Sequence, residues 1–161
     1  LKAGTRLLQF RGKGLDAKRY RALASRVIAL AHSYECRVLL SGSPSLVLEL
    51  GADGLHLDSK ALKACSERPL PDDYLLAVSG HTEEELKRGE VIGASLGVLS
   101  PVNYTSVHPD IVPLGWEGVG HAVQQLTIPL YALGGVSASD EAMALSVGAQ
   151  GVAGNRGYWK D

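Results

Sequence analysis

The chain has little cysteine, almost no net charge and no long apolar run. Its two cysteines, Cys36 and Cys65, match no metal-ligand or redox spacing, which excludes a zinc ribbon, a thioredoxin-type motif and a disulfide framework. Both are read as reduced thiols, in keeping with an expected cytoplasmic location. The formal net charge is −1, so no global field draws nucleic acid or an anionic membrane. No nucleic-acid or membrane partner is expected, and any anion site must be local. No apolar stretch reaches the length of a membrane span, and no signal peptide opens the sequence. Linkers, low-complexity segments and a Nudix motif are also lacking. The first residue is Leu1 and not Met, so the expectation is an N-terminally incomplete domain.

What is present is ordinary for a globular protein: 161 residues, 45% apolar and 20% charged, enough for one domain with its own core. Short apolar runs alternate with helical patterns. The runs are RLLQF (6–10), RVLLS (37–41), GLHL (54–57), YLLAVS (74–79), SLGVLS (95–100), PLYALGG (129–135) and GVAG (151–154). Near-continuous apolar strands suit a parallel sheet covered by helices. A helix is predicted over 16–34, capped by Asp16, with an apolar stripe of Tyr20, Leu23, Val27, Leu30 and Tyr34. Further starts are predicted at Ser43-Pro44, at the capping box Thr82-Glu83-Glu84-Glu85, and at Ser137 or Ser139. GWEG (115–118) is expected to open another. EEELKRGE (83–90) reads as a solvated face, and Trp116 and Trp159 read as packing aromatics, with a lid or ligand-stacking role as the alternative.

A weak repeat joins these pieces. KAGTRLLQ (2–9), LGADGLHL (50–57), IGASLGVL (92–99) and VGAQGVAG (147–154) each run from a helix end through glycine into a strand. Gly4, Gly51, Gly93 and Gly148 sit where a left-handed helix cap favours glycine. Paired βα units without a helix-only or strand-only block predict a (β/α)8 TIM barrel, with an open doubly wound sheet as the alternative. Seven strands are counted, so the first strand of the barrel is expected to be missing.

In such a barrel the last strand ends often hold a phosphate. Gly134-Gly135 follows one apolar run and Gly154-Asn155-Arg156-Gly157 follows the next. Glycine lets backbone N–H groups approach an anion, and Arg156 adds a charged contact. Gly134, Gly135, Asn155 and Arg156 are therefore the predicted phosphate-binding residues. Tight βα turns alone would also account for the glycines.

The stretches LLQFRGK (7–13), LGADGLHL (50–57), SPVNYTSVHP (100–109), LYALGGV (130–136) and GAQGVAG (148–154) resemble thiamine phosphate synthase and its TenI-like relatives, the thiazole tautomerases. The resemblance covers nearly the whole chain. It is nearest to divergent domains that follow a MutT-type Nudix hydrolase in some bacterial proteins. It implies a (β/α)8 barrel. In the synthase reaction a pyrimidine methyl pyrophosphate and a thiazole phosphate are joined, with Mg²⁺ assisting loss of pyrophosphate.

Carried over by residue, the resemblance implies that Gln9, Arg11 and Lys13 bind the pyrophosphate side, with Ser79 and Thr105 as further substrate contacts. It matches Gly134 and Gly135 to the thiazole-phosphate site. The family's aspartate-bearing segments read Leu40-Ser41-Gly42 and His56-Leu57-Asp58-Ser59-Lys60-Ala61 here. Both metal carboxylates are lost, Asp58 lies three residues early, and no metal or other cofactor is expected. These losses suit the metal-free tautomerase branch, which needs an acid–base group. The TenI histidine aligns near Pro101, so His108 is the substitute candidate and His81 the second. His81 reads equally well as a loop histidine or helix cap.

The expected function is binding of a thiazole phosphate-type ligand in thiamine biosynthesis or salvage, with catalytic competence open. The alternative is a non-catalytic phosphate-ligand or accessory domain of a fused N-terminal Nudix hydrolase. The partner implied is a small phosphorylated molecule, and family relatives suggest a homo-oligomer.

Overall fold

Residues 4–105 and 111–155 are described by the structure, a computed structural model of the chain. Seven strands follow one another across the sheet in chain order: β1 (Leu7–Phe10), β2 (Arg37–Leu40), β3 (Gly54–Leu57), β4 (Leu75–Gly80), β5 (Leu96–Leu99), β6 (Leu130–Ala132) and β7 (Gly151–Val152). The register is parallel where β1 meets β2, β2 meets β3, β5 meets β6 and β6 meets β7. Each strand coincides with one of the seven apolar runs, and only β4 reaches beyond its run, by Gly80. The helices are α1 (Ala17–His32), α2 (Pro44–Leu50), α3 (Ser59–Ala64), α4 (Glu83–Val91), α5 (Gly115–Gln125) and α6 (Glu141–Ser146). A 3₁₀ turn at Ala138–Asp140 leads into α6.

The chain divides into two compact units. The first comprises Leu1–Leu57 and Arg68–Ala77, and the second Asp58–Glu67 and Val78–Asp161. In the first unit, β2 and β3 bury Val38, Leu39, Leu40, Leu55 and Leu57, as a strand covered on both faces requires. Gly54 is a packing necessity: a Cβ there would run into the backbone carbonyl of Leu75. The Asp16 side chain accepts from the Arg19 N–H at 2.9 Å and caps α1, as predicted.

The face that α1 buries differs from the predicted one. Ala24, Ile28 and Ala31 are buried, while Leu23, Leu30 and Tyr34 stay 38–57% exposed. The reason is size. Small residues let a helix sit close to its sheet, and Ala24 and Ala31, seven apart with Ile28 between them, define the buried line. Counting only the large apolar residues turns the stripe toward solvent. Tyr34 also lies beyond the helix, which ends at His32. Cys36 is buried and Cys65 half-buried, and both are free thiols. Burial pushes the Cys36 thiol up, which keeps it unreactive.

In the second unit, Ser43-type and Thr82-type starts recur as local caps. The Thr82 hydroxyl accepts from the Glu85 N–H and opens α4; in the first unit Ser43 does the same for α2. Ser137 and Asp140 form the capping box ahead of α6. The run 83–90 is more than a solvated face. Leu86 and Gly89 are buried, and the Glu90 carboxylate accepts from the backbone of Thr127 and Ile128. An acidic side chain beside unpaired N–H groups is drawn inward by them. Helix α3 was not predicted. The Asp58 carboxylate accepts from the Ala61 N–H at 3.0 Å and starts it. Gly4, Gly51, Gly93 and Gly148 all have positive φ, as the repeat implied. Among the described residues no helix is long and apolar enough to cross a membrane.

Candidate ligand site

In the first unit the pairing register fixes which side chains share a face. Gln9 lies opposite Leu39, and Leu39 opposite Gly54. Side chains alternate along a strand, so Gln9, Ser41 and His56 project to one side. They meet there. The Gln9 Nε2–H donates to Ser41 Oγ at 2.9 Å, and Nε2 lies 2.8 Å from His56 Nδ1. His56 is 8% exposed, the one buried polar side chain among the described residues.

Tyr20, from α1, braces this corner. Its hydroxyl donates to the Ser41 carbonyl at 3.0 Å and lies 3.4 Å from that of Phe10. The ring tilts against Phe10 at 5.1 Å. It also covers Gly12, where a Cβ would sit 2.5 Å from Tyr20 Cδ2. Burial raises the Tyr20 hydroxyl pKa against the opposing effect of its bond to Ser41, so Tyr20 remains a neutral donor. Arg11 and Lys13 follow Gln9 and are exposed. The predicted trio therefore stands at the end of β1. Ser41 and His56, which hold Gln9, and Tyr20, which holds Ser41, were not identified from sequence. Tyr20 looked like part of an apolar stripe and Ser41 like a lost metal ligand.

In the second unit the loop after β5 lies on the turn after β6. The Leu133 carbonyl accepts from the Val102 N–H at 3.0 Å and the Gly134 carbonyl from the Asn103 N–H at 2.9 Å. Asn103 Nδ2 donates to the Gly135 carbonyl at 3.1 Å. Gly134 and Gly135 have φ of 94° and 66°. A Cβ on Gly134 would meet Pro101 at 2.8 Å, and one on Gly135 would meet the Tyr104 carbonyl at 2.6 Å. Both conformation and space thus demand glycine. The loop ties off the carbonyls of the turn. No hydrogen bond runs from the Gly134 or Gly135 N–H to another described residue. What the turn offers a ligand is therefore donors. Asn103 is the residue sequence reasoning missed here.

His81 belongs to the same unit. Its Nδ1 lies 2.8 Å from the Ser100 carbonyl, which can only accept, so the proton sits on Nδ1. Its backbone N–H donates to the Glu85 carboxylate at 2.7 Å. Glu85 also accepts from Ser59 at 2.6 Å and pairs with Lys63 at 2.7 Å. Burial works to raise the Glu85 pKa, but these three donors outweigh it and hold the carboxyl down to about 2. Ser79 and Thr105 are half-buried, at the end of β4 and in the loop after β5, and Asn155 is exposed after β7. His108, Arg156 and Trp159 lie outside the described residues.

Ser41 and Gly42 follow β2, Ala61 lies in α3, and the Asp58 carboxylate caps that helix. Among the described residues no group of three or more His, Cys, Asp or Glu side chains gathers for a metal.

The family profile described as thiamine monophosphate synthase matches residues 1–157. A protein of Aquifex aeolicus, named as a candidate thiamine-phosphate synthase 2, is 32% identical over 96% of this chain and 83% of its own length. The thiamine-phosphate synthase of Archaeoglobus fulgidus is 30% identical over 95% of this chain and 72% of its own. Among solved structures, thiamine phosphate pyrophosphorylase from Pyrococcus furiosus superposes with a TM-score of 0.76 at 22% identity, covering 93% of this chain and 72% of that one. At that identity the likeness speaks for the fold, which is TIM-barrel-like. The comparisons bear on this family and not on a Nudix partner.

Proposed function

The chain belongs to the thiamine monophosphate synthase family of thiamine biosynthesis, and we propose that it binds a thiazole phosphate on the Gly134-Gly135 turn. The observation that carries this reading is the pair of glycine N–H groups without a described partner, beside carbonyls tied off by the loop 102–103. Backbone donors in a positive-φ turn match the oxygens of a phosphate. Asn155, Ser79 and Thr105, in the same unit as the turn, are the further contacts proposed for it, while Gln9, Arg11 and Lys13, at the end of β1 in the other unit, are proposed separately as contacts for a pyrimidine pyrophosphate. A fold of the (β/α)8 type is part of the proposal.

The chemistry proposed is proton transfer on the thiazole, not metal-assisted loss of pyrophosphate; what supports it is that Gly42 and Ala61 stand where the resemblance implies metal carboxylates. His81 is the acid–base group best supported. With its proton on Nδ1 directed at Ser100, exchange with substrate falls to Nε2. His108 is the second candidate for that role.

Calorimetric titration with thiazole phosphate, with and without Mg²⁺, tests the reading. Micromolar binding that ignores Mg²⁺ and disappears in Gly135→Asp supports it. No binding by the folded wild-type chain overturns it.

A further inference from the structure

The Gln9 side chain is exposed, yet its amide is held at two points. Its Nε2 carries two hydrogens, and two acceptors stand at hydrogen-bond distance: Ser41 Oγ at 2.9 Å and His56 Nδ1 at 2.8 Å. An amide nitrogen cannot accept, so in this orientation of the amide His56 meets it with an unprotonated Nδ1. Both hydrogens are then spent within the protein. Rotation of the amide would place its oxygen against Ser41 and the ring nitrogen and require the opposite tautomer, with the proton on Nδ1. Ser41 is itself fixed, because Tyr20 holds its carbonyl at 3.0 Å. His56 is fixed by burial in β3.

We propose that His56 is a positioning residue for Gln9. With Ser41 it takes up both amide hydrogens, so Gln9 presents its carbonyl oxygen to the ligand. A ligand group that meets Gln9 must then carry an N–H or O–H donor, and an acceptor at that place is rejected. The inference rests on the end of β1 being part of the substrate site proposed above.

The test has one arm that needs no ligand. Nitrogen NMR of the ¹⁵N-histidine-labelled chain reads the ring of His56 directly. The expected result is an unprotonated Nδ1 whose resonance shifts in Gln9→Ala. In Gln9→Glu, a carboxylate oxygen replaces the donor, and Nδ1 gains a proton. A protonated Nδ1 in the wild type, or a ring indifferent to both Gln9 variants, overturns the proposal. Both substitutions are at an exposed position and preserve the fold.

The second arm is titration with pyrimidine methyl pyrophosphate. Gln9→Ala and His56→Leu should each weaken binding about tenfold, roughly one hydrogen bond. The double variant should weaken it no further, and His56→Asn, whose Oδ1 can accept, should restore most of it. Additive losses, or no recovery in a folded His56→Asn, overturn the positioning role. If the wild-type chain binds no pyrimidine pyrophosphate, the substrate reading of this strand end fails, while the NMR arm still decides whether His56 orients Gln9.

Discussion

Among single side chains, Glu85 is the described residue whose titration the fold shifts most. Its carboxyl is held near 2 in the folded chain, below the range near 4.3 of an unfolded glutamate. A depressed carboxyl stabilises the fold above the unfolded value and loses that contribution as pH falls toward the folded one. The side chain is 15% exposed, but its partner Lys63 is 64% exposed, so solvent screening reduces the effect to about 2 kcal/mol. Acid unfolding of the wild type should steepen between about pH 4.5 and 2, and Glu85→Gln should flatten that part of the curve, as followed by circular dichroism. The same residue fixes the His81 backbone. If the chain is a tautomerase that uses His81, Glu85→Gln should lower its activity while thiazole phosphate still binds. At this scale the sequence was only half legible. Gln9, Gly134 and Gly135 announce themselves by type and order. Ser41, Tyr20 and His56 do not, because their roles depend on strand register, which periodicity alone leaves open.

Helix starts were the most readable elements. Asp16, Ser43, Thr82 and Ser137 all cap as their chemistry suggests. Helix α3 escaped because its six residues are too short for a periodic pattern, and Asp58 drew attention as a possible ligand. The two roles of Asp58 can be separated. Asp58→Ala should cost about 1 kcal/mol in urea unfolding, as for a lost N-cap, and leave binding of thiazole phosphate unchanged at any Mg²⁺ concentration. Asp58→Asn should recover most of the stability, which a metal ligand would not allow. Gly54→Ala should be costlier, above about 2 kcal/mol, because the new Cβ meets backbone and not a side chain that can move. The strands were legible since each is a short apolar run bounded by turn residues. The packing face of α1 was not, since Ala24 and Ala31 look neutral in any hydropathy count and act through their small volume.

For the chain as a whole, the order of strands and the glycine-to-strand repeat pointed to parallel βα units before any coordinates. What composition left out was the arrangement of loops, which are held by backbone bonds that any residue type can make. If the turn after β6 binds thiazole phosphate, ligand at a hundred times Kd should add about 2.7 kcal/mol to folding stability. The midpoint should rise by roughly 5–10 °C in differential scanning fluorimetry, with or without Mg²⁺, and Gly135→Asp should abolish the rise. The loop 101–104 has one more implication, for anyone who would redesign this protein. Its main chain occupies the space that a side chain at 134 or 135 would need, and Asn103 grips both carbonyls. Six positions far apart in sequence thus form a single mutational unit. A library that varies the loop with the glycines fixed, or the reverse, will mostly return dead clones; specificity can be moved here only by changing both together.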